Sequence, residues 1–237
     1  MSAVDHFEEQ IAVFESAGNT VIGRPARILG ACSIPEFKTG SVIEFGENVT
    51  LRNTSFNFPL GGGKVKVGKG SVYAAWTHVS PKSVITVGER TAFIRDCEVH
   101  AWESASIDIG NDCLLSNIKI RTSDMHSIFA LGTNERVNSA RSVVIGDRVW
   151  VAEFAVVGKG SRIDNGSVIG SYAFVTGYIP PNSIAAGQPA RVLKRGIYWT
   201  NELDVTDPVA LPATSAVFQQ EERRRGLRHL LARWLTR

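Results

Sequence analysis

A repeat of six residues runs through the C-terminal half of the chain. An aliphatic residue recurs at this spacing, a small or short residue follows each one, and a further small residue stands four places after each of the first five. The aliphatic positions are Ile145, Val151, Val157, Ile163, Ile169 and Val175. Neither the 3.6-residue period of a helix nor the two-residue period of a strand produces this pattern. The spacing predicts a solenoid of short strands joined by tight corners, with one inward aliphatic residue for each strand.

The same spacing extends toward the N-terminus with changes of phase. Ile22, Ile28 and Ile34 keep it, and later groups are shifted relative to one another. We interpret the shifts as loops that leave the solenoid, one at residues 52–66 with three consecutive glycines and the longest at residues 121–144. The predicted organisation is a capping segment at residues 1–20, the solenoid at residues 21–195 and a C-terminal segment at residues 196–237.

Helices are predicted only at the two ends. Phe7, Ile11 and Phe14 stand at i, i+4 and i+7 and predict a short amphipathic helix that caps the first coil. After a proline-containing linker at residues 205–214, residues 216–237 place leucines and a tryptophan at helical spacing among six arginines. This helix either touches anionic lipid or packs on its own oligomer with its arginines in solvent. The second interpretation is favoured, because Gly226 and the short length weaken a membrane anchor.

Composition agrees with one domain of ordinary size. The chain has 237 residues, 43% of them apolar and only 8% aromatic, which suits a core of aliphatic side chains. The net charge of +3 is too small to argue for nucleic acid as a partner. The N-terminus lacks the pattern of a secretory signal, and no apolar run is long enough to span a bilayer. A cytoplasmic location is expected, with the C-terminal helix as the candidate for contact with the inner face of the membrane.

The three cysteines are expected to pack in the core. Cys32, Cys97 and Cys113 are odd in number, share no metal-ligand spacing, and each stands four places after an apolar residue that is expected to point inward. No metal site is predicted. A zinc hydratase would need three converging histidines with a closely spaced pair, and His78, His100 and His126 lack that pair.

Residues 145–194, which begin IGDRVWVA and end IPPNSIAAGQPARVLK, resemble the hexapeptide-repeat acyltransferases. Within that superfamily they are similar to the galactoside, maltose, xenobiotic and capsular-polysaccharide O-acetyltransferases. The resemblance is looser over the rest of the chain, weak before residue 40 and absent after about residue 200. It implies an all-β fold, a left-handed parallel β-helix with short terminal helices, assembled as a homotrimer. It also implies that acetyl-CoA lies in the groove between neighbouring β-helices.

The resemblance assigns the catalytic base to a histidine on a loop that leaves the β-helix. In this chain the loop reads RTSDMHSIF and supplies His126, 24 residues before Trp150 in the family's Val-Trp position. Imidazole, with an ordinary pKa of about 6.5, can take the hydroxyl proton of an acceptor at neutral pH. The chain has no GxSxG nucleophile elbow. Direct attack of the acceptor on the thioester is therefore expected, without an acetyl-enzyme.

Two carboxylates and a tryptophan are candidates for the acceptor side. The resemblance places Asp96 where relatives have a polar Asn near the reacting centre, so Asp96 binds the acceptor or orients His126. Asp124 competes for the orienting role, and the sequence leaves that choice open. Trp150 packs between subunits or forms a surface near the thioester or a sugar ring. His100, beside Trp102, either lines the acceptor cleft or is a corner residue, whereas His78 is interpreted as structural.

The resemblance also assigns residues to the cofactor. Ser171 and Thr176 match positions that face the pantetheine arm, and Arg191 and Lys194 match basic residues that meet the phosphates of CoA. The chain departs from its relatives at Gly177-Tyr178, where they commonly have Lys-Asp, and at Glu153, an unexpected acid beside the cofactor groove.

The sequence therefore predicts an acetyl-CoA-dependent O-acetyltransferase that acts on a saccharide destined for capsule, lipopolysaccharide or exopolysaccharide. N-acetylation of an amino-sugar nucleotide or a drug-like acceptor is the alternative enzyme activity. A β-helical scaffold without catalysis is the alternative of another class. The sequence does not identify the acceptor, because irregular loops line its pocket.

Overall fold

The computed structural model describes residues 2–201, and the linker and helix expected at residues 205–237 lie outside them. Helix α1 (Ala3–Ser16) begins with a capping box in which the Ser2 hydroxyl accepts from the Asp5 amide at 3.2 Å and the Asp5 carboxylate accepts from the Ser2 amide at 3.0 Å. Its buried face consists of Phe7, Ile11 and Phe14. The predicted N-terminal helix is confirmed. No helix of the described residues is long and apolar enough to cross a membrane.

The rest of the described chain winds through three sheets. Sheet A contains β1 (Thr20–Ile22), β4 (Val42–Phe45), β7 (Lys64–Val67), β10 (Val84–Val87), β13 (Ser106–Ile109), β16 (Val143–Ile145), β19 (Arg162–Ile163) and β22 (Tyr178–Ile179). Sheet B contains β2 (Arg27–Leu29), β5 (Thr50–Arg52), β8 (Val72–Tyr73), β11 (Ala92–Ile94), β14 (Leu114–Ser116), β17 (Trp150–Val151), β20 (Val168–Ile169), β23 (Ser183–Ala186) and β24 (Arg191–Arg195). Sheet C contains β3 (Ser33–Phe37), β6 (Ser55–Phe58), β9 (Ala75–Val79), β12 (Cys97–Ala101), β15 (Lys119–Arg121), β18 (Val156–Val157) and β21 (Phe174–Val175).

Each of the first seven coils contributes one strand to each sheet, and the last contributes β22 to sheet A and β23 to sheet B. Each strand from β1 to β20 pairs in parallel with the strand three places later in the chain, and among the strands of residues 2–201 only β24 runs antiparallel, against β23. The predicted parallel β-helix is therefore confirmed. The six aliphatic residues of the repeat all point inward, and the most exposed of them, Ile145, is only 2% exposed. Cys32, Cys97 and Cys113 are buried with free thiols, as the packing interpretation predicts.

Coil length explains the changes of phase. In the last coils the strand partners are 18 residues apart, as in Val144 with Arg162, which equals three hexapeptides. In an earlier coil Val42 pairs with Lys64, 22 residues on, because the corners take up the additional residues. Residues 52–66 are therefore not an excursion, and that expectation is wrong: they contain β6 and an ordinary corner. At this corner a Cβ on Gly61 would lie 2.3 Å from the carbonyl oxygen of Thr39, so the close stacking of corners requires glycine.

The longest segment between strands is residues 122–142. It leaves the β-helix after β15 of sheet C and returns at β16 of sheet A. We call it the 122–142 loop. It contains His126.

Candidate functional site

The 122–142 loop folds back on itself as an irregular hairpin. Phe129 pairs antiparallel with Arg136, and the Val137 amide donates to the Ile128 carbonyl at 2.9 Å. His126 lies just before the hairpin, and its side chain is exposed. Within residues 2–201 its imidazole makes no hydrogen bond. The ring is therefore accessible to a substrate, while the backbone that carries it is held in place.

Asn138 holds the backbone at His126 and Ile128 and binds the side chain of Asp124. Its side chain is buried, with 7% exposure. The amide nitrogen Nδ2 donates to the His126 carbonyl oxygen at 2.7 Å and to the Asp124 carboxylate at 2.9 Å. The amide oxygen Oδ1 accepts from the Ile128 amide at 2.8 Å and, at 3.3 Å, from Nε of Arg136. Both hydrogens of the amide nitrogen and both lone pairs of the oxygen are thereby used within the loop.

Lys159, in the corner after β18, ties the same loop to the next coil. Its ammonium group forms an ion pair with Asp124 and donates to the Asn138 carbonyl at 2.7 Å. The hydrogen bond from Lys159, and then the one from Asn138, lower the pKa of the Asp124 carboxyl below its usual range. Among the described residues, the Asp124 carboxylate has no hydrogen bond to the His126 imidazole. Asp124 thus shapes the loop through Lys159 and Asn138 rather than by direct contact with the ring.

Glu103, in the corner after β12, supports the loop from the preceding coil. Its carboxylate accepts two hydrogen bonds from Arg136, at 2.5 and 2.9 Å, and one from the Ser123 hydroxyl. The bond from Arg136, followed by that from Ser123, lowers the pKa of Glu103. A bidentate Arg–carboxylate pair fixes both distance and orientation. The coils before and after it therefore both brace the 122–142 loop.

Sequence reasoning missed Glu103, Asn138 and Lys159. They are separated by 35 and 21 residues in the chain, and only the pairing of the coils brings them together. They could be found from the sequence only if the length of each coil were known, because the coil lengths decide which distant residues become neighbours. A six-residue pattern with unknown corner insertions does not supply these lengths.

Asp96 and Trp150 lie away from the base of the loop. Asp96 is exposed in the corner that precedes β12, whereas the loop leaves sheet C at the opposite end of its strands, after Arg121. Trp150 begins β17 of sheet B, is 36% exposed, and has its ring centroid 5.9 Å from that of Trp199. Within one chain, the structure does not bring the side chain of Asp96 or that of Trp150 next to His126.

The predicted cofactor residues cluster in the last coils. Ser171 precedes β21 of sheet C, Thr176 directly follows it, and both are exposed. Arg191 and Lys194 are exposed on β24, and no ion pair occupies either within the described residues. The unexpected acid, Glu153, pairs with Arg95 at 3.4 Å, which compensates its charge.

A cluster of aromatic and histidine side chains covers part of the outer face of sheet C. We call it the β9–β12 surface, and it consists of Trp76, His78, His100, Trp102 and Arg121. The two imidazoles are stacked with centroids 5.1 Å apart, and Trp76 lies edge-on to both, at 4.8 and 5.0 Å. Trp102 lies 6.3 Å from His78. His78, interpreted from the sequence as structural, and His100 thus belong to one cluster.

Burial disfavours the protonated form of both histidines. It lowers the pKa of His78, and it lowers the pKa of His100 to about 4, with the neighbouring His78 and Arg121 adding to the effect. Within residues 2–201, no three His, Cys, Asp or Glu side chains stand close enough to hold a metal ion together.

Residues 142–177 match the family described as bacterial transferase hexapeptide (six repeats). A polysialic acid O-acetyltransferase of Escherichia coli is 33% identical over 118 residues, which are 49% of this chain and 38% of that protein. The putative lipopolysaccharide biosynthesis O-acetyl transferase WbbJ of Escherichia coli is 34% identical over 106 residues, 41% of this chain and 54% of that protein. The matched segments therefore span only 38% and 54% of these two relatives.

Two solved structures share the fold. The polysialic-acid-specific acetyltransferase NeuO aligns with a TM-score of 0.65 and 25% identity over 86% of this chain and 98% of that chain. The polysialic acid O-acetyltransferase OatWY aligns with a TM-score of 0.72 and 24% identity over 84% of this chain and 95% of that chain. The predicted resemblance to hexapeptide-repeat acyltransferases, and to those of surface polysaccharides in particular, is confirmed.

Proposed function

We propose that this hexapeptide-repeat chain is an acetyl-CoA-dependent O-acetyltransferase that modifies a hydroxyl group of a saccharide. The observation that carries the proposal is the exposed His126 imidazole on a loop braced by Glu103, Asn138 and Lys159. A general base needs a fixed position and access to its substrate, and this arrangement supplies both. The names of the relatives, which are O-acetyltransferases of polysialic acid and of lipopolysaccharide biosynthesis, supply the class of reaction and acceptor.

The reaction needs one proton carrier. The acceptor hydroxyl gives its proton to His126 while its oxygen attacks the thioester carbonyl, and a tetrahedral oxyanion forms. The carbon–sulfur bond then breaks, and the departing thiolate of CoA takes a proton from the imidazolium. The acetyl ester and the free thiol are the products, and His126 returns to its neutral form.

The residues of the last coils suit acetyl-CoA as donor. Arg191 and Lys194 present exposed cationic groups that fit the phosphates of CoA. Ser171 and Thr176 flank β21, where backbone groups can bond the amides of the pantetheine arm. Because Arg95 compensates Glu153, this acid does not oppose an anionic donor.

Assembly as a homotrimer would complete the site. The 122–142 loop exposes an apolar set, and one of its members, Leu131, is fully exposed; the set is Met125, Ile128, Phe129, Leu131 and Val137. Several exposed apolar side chains on one loop suit an interaction surface. In a symmetric assembly the loop of one subunit can cover its neighbour, which would bring Asp96 or Trp150 of that neighbour toward His126. The proposed location is the cytoplasm, where acetyl-CoA is made.

The test is release of CoA thiol from acetyl-CoA in the presence of saccharide fragments, polymers and sugar nucleotides. Transfer to a saccharide with an alkali-labile acetyl ester in the product is the expected result. An alkali-stable amide would instead show N-acetylation of an amino sugar. No turnover with any acceptor, by a chain that still binds saccharide, would indicate the scaffold.

A further inference from the structure

The residue before His126 has an unfavourable backbone conformation. Met125 has a φ of 67°, which lies in the left-handed region. Asn134, in the turn of the same loop, also has a positive φ, of 54°, but the short polar side chain of asparagine tolerates it. Methionine has neither such a side chain nor the freedom of glycine. The conformation of Met125 therefore persists only because neighbouring groups hold it.

The hydroxyl group of Ser123 is one group that holds this conformation. The Met125 amide donates to the Ser123 hydroxyl at 3.0 Å, which closes a turn between a serine and the residue two places later. Ser123 is buried, with 5% exposure, whereas Asp124 and Met125 are exposed. A buried hydroxyl also needs an acceptor for its own proton.

Glu103 accepts that proton and thereby sets the direction of the hydroxyl. The Ser123 hydroxyl donates to the Glu103 carboxylate, and an ionised carboxylate can only accept. The single proton of the hydroxyl is therefore turned toward Glu103, and a lone pair of its oxygen is left for the Met125 amide. Arg136, and then Ser123, lower the pKa of Glu103, which favours the ionised form that this direction requires.

The corner that carries Glu103 has a fixed position beside the start of the loop. The Glu103 amide donates to the Ser80 hydroxyl of the preceding coil at 3.0 Å. Thr122, the first residue of the loop, is bonded to Trp102 in both directions. Its hydroxyl accepts from the Trp102 amide at 2.8 Å and donates to the Trp102 carbonyl at 3.1 Å. The β-helix therefore provides a rigid support for the carboxylate that directs Ser123.

The dipeptide Met125-His126 is bonded at both of its ends. Its first amide donates to Ser123, and its last carbonyl oxygen accepts from Nδ2 of Asn138 at 2.7 Å. The backbone dihedral angles of Met125 lie between these two bonds. Because φ and ψ are the only soft dihedral angles of a residue, those of Met125 determine the direction in which the chain enters His126. They therefore determine where the imidazole points.

We propose that Ser123 is a positioning residue for His126, an inference that rests on the proposed O-acetyltransferase activity. Directed by Glu103, its hydroxyl keeps Met125 in the left-handed conformation that aims the imidazole at the acceptor hydroxyl. The hydroxyl takes no part in the proton transfer, because it acts through the backbone and donates its own proton to Glu103. A misplacement of about 1 Å can lower the rate of a reacting group about a hundredfold, so this control of direction matters for catalysis.

The experiment first removes the hydroxyl. Ser123→Ala deletes it, Ser123→Thr keeps one, and Ser127→Ala, at an exposed serine of the same loop, is the matched control. With acetyl-CoA and a saccharide acceptor, we expect kcat to fall about tenfold in Ser123→Ala and to stay within about threefold of the wild type in the other two, with an unchanged KM for acetyl-CoA. Hydrogen exchange of the Ile128 amide, which donates to Asn138 at 2.8 Å, should be faster only in Ser123→Ala.

A second substitution, at Met125, tests the left-handed conformation itself. Glycine adopts this conformation without steric cost, whereas alanine removes the same side chain and keeps the cost. In the Ser123→Ala background, Met125→Gly should therefore restore kcat to within about threefold of the wild type and slow the exchange of the Ile128 amide again. Met125→Ala in the same background should restore neither. A serine that merely filled space would give two double variants with the same kcat.

Glu103→Gln keeps the volume of the side chain and tests the same link from its other end. Its amide group can donate to the Ser123 oxygen, so the direction of the hydroxyl is no longer imposed. We expect kcat to fall about threefold to tenfold, again without a change in the KM for acetyl-CoA.

Two results overturn the assignment. One is a Ser123→Ala chain with the kcat and the Ile128 exchange rate of the wild type. The other is equal kcat and equal exchange in the two double variants. If the wild type transfers acetyl to no saccharide, the proposed activity fails, and the exchange rates alone still decide whether Ser123 holds Met125. Exchange rates that follow the prediction while kcat stays constant in all variants would remove the positioning role.

Discussion

The side-chain amide of Asn138 donates a hydrogen bond of 2.7 Å to the backbone carbonyl of His126, twelve residues earlier in the chain. The same side chain accepts from the Ile128 amide at 2.8 Å. One buried residue thus fixes the backbone at, and just after, the residue that carries the exposed imidazole. This arrangement separates two requirements of a base, because the backbone is rigid while the ring remains open to the substrate.

Loss of this support should slow catalysis without weakening donor binding. Asn138→Ala removes all four hydrogen bonds of the side chain, so His126 shifts from its position. We expect kcat to fall roughly tenfold to a hundredfold, the range for a small misplacement of a reacting group, with an unchanged KM for acetyl-CoA. Steady-state kinetics measure this, and faster hydrogen exchange of the Ile128 amide reports the loosened loop independently of activity.

The control for that variant is Ser139→Ala, at the exposed neighbouring position. It should match the wild type in both measurements. A normal kcat in Asn138→Ala together with fast exchange at Ile128 would show that the position of the loop does not limit the reaction.

The buried His100 should make the stability of the chain depend on pH. Its pKa is about 4 in the folded chain, below the ordinary value of about 6.5, so the unfolded chain binds the proton more readily. The free energy of unfolding therefore falls as the pH drops from about 6.5 toward 4. Between pH 7 and pH 5 we expect His100 to account for a loss of about 1–2 kcal/mol. Denaturant unfolding of wild type and His100→Phe at both pH values measures it, and identical pH dependence in the two proteins would refute the assignment.

The exposed apolar side chains of the 122–142 loop should be subunit contacts. We expect light scattering to give three subunits for the wild type, and Phe129→Asp to shift the population toward smaller species, because it introduces a charge where apolar contact is needed. Thr133→Asp, at an exposed polar residue of the same hairpin, is the matched control. A wild-type chain that is monomeric and fully active would show that no neighbour is required.

The two basic residues of β24 should serve donor affinity. Arg191→Ala or Lys194→Ala should raise the KM for acetyl-CoA roughly threefold to tenfold with a smaller change in kcat, since phosphate contacts exist in the ground and transition states alike. Arg195→Ala, on the same strand, is the control. If the KM for the acceptor rose instead, these residues would belong to the saccharide site.

The fold could be predicted from the sequence because the six-residue repeat is a local pattern. The inward residues Ile145 to Val175 repeat in a fixed six-residue unit, and all six are buried as the unit predicts. The residues that support His126 could not be predicted from the sequence. Glu103 and Lys159 come from coils on either side of the loop, and the coils differ in length. The same variation made residues 52–66 look like an excursion. His78 was interpreted as a lone structural residue, because only the pairing of β9 with β12 places it against His100.

The most direct measurement is the rate of acetyl transfer by His126→Ala, compared with wild type and with Ser127→Ala as the neighbouring control. If the imidazole is the base for direct transfer, kcat falls by roughly two to four orders of magnitude in His126→Ala alone. Subunit number and acetyl-CoA binding should be unchanged, because the exposed ring makes no hydrogen bond within the described chain. Turnover close to the wild-type rate in His126→Ala would contradict the proposed mechanism and remove this residue from the chemistry.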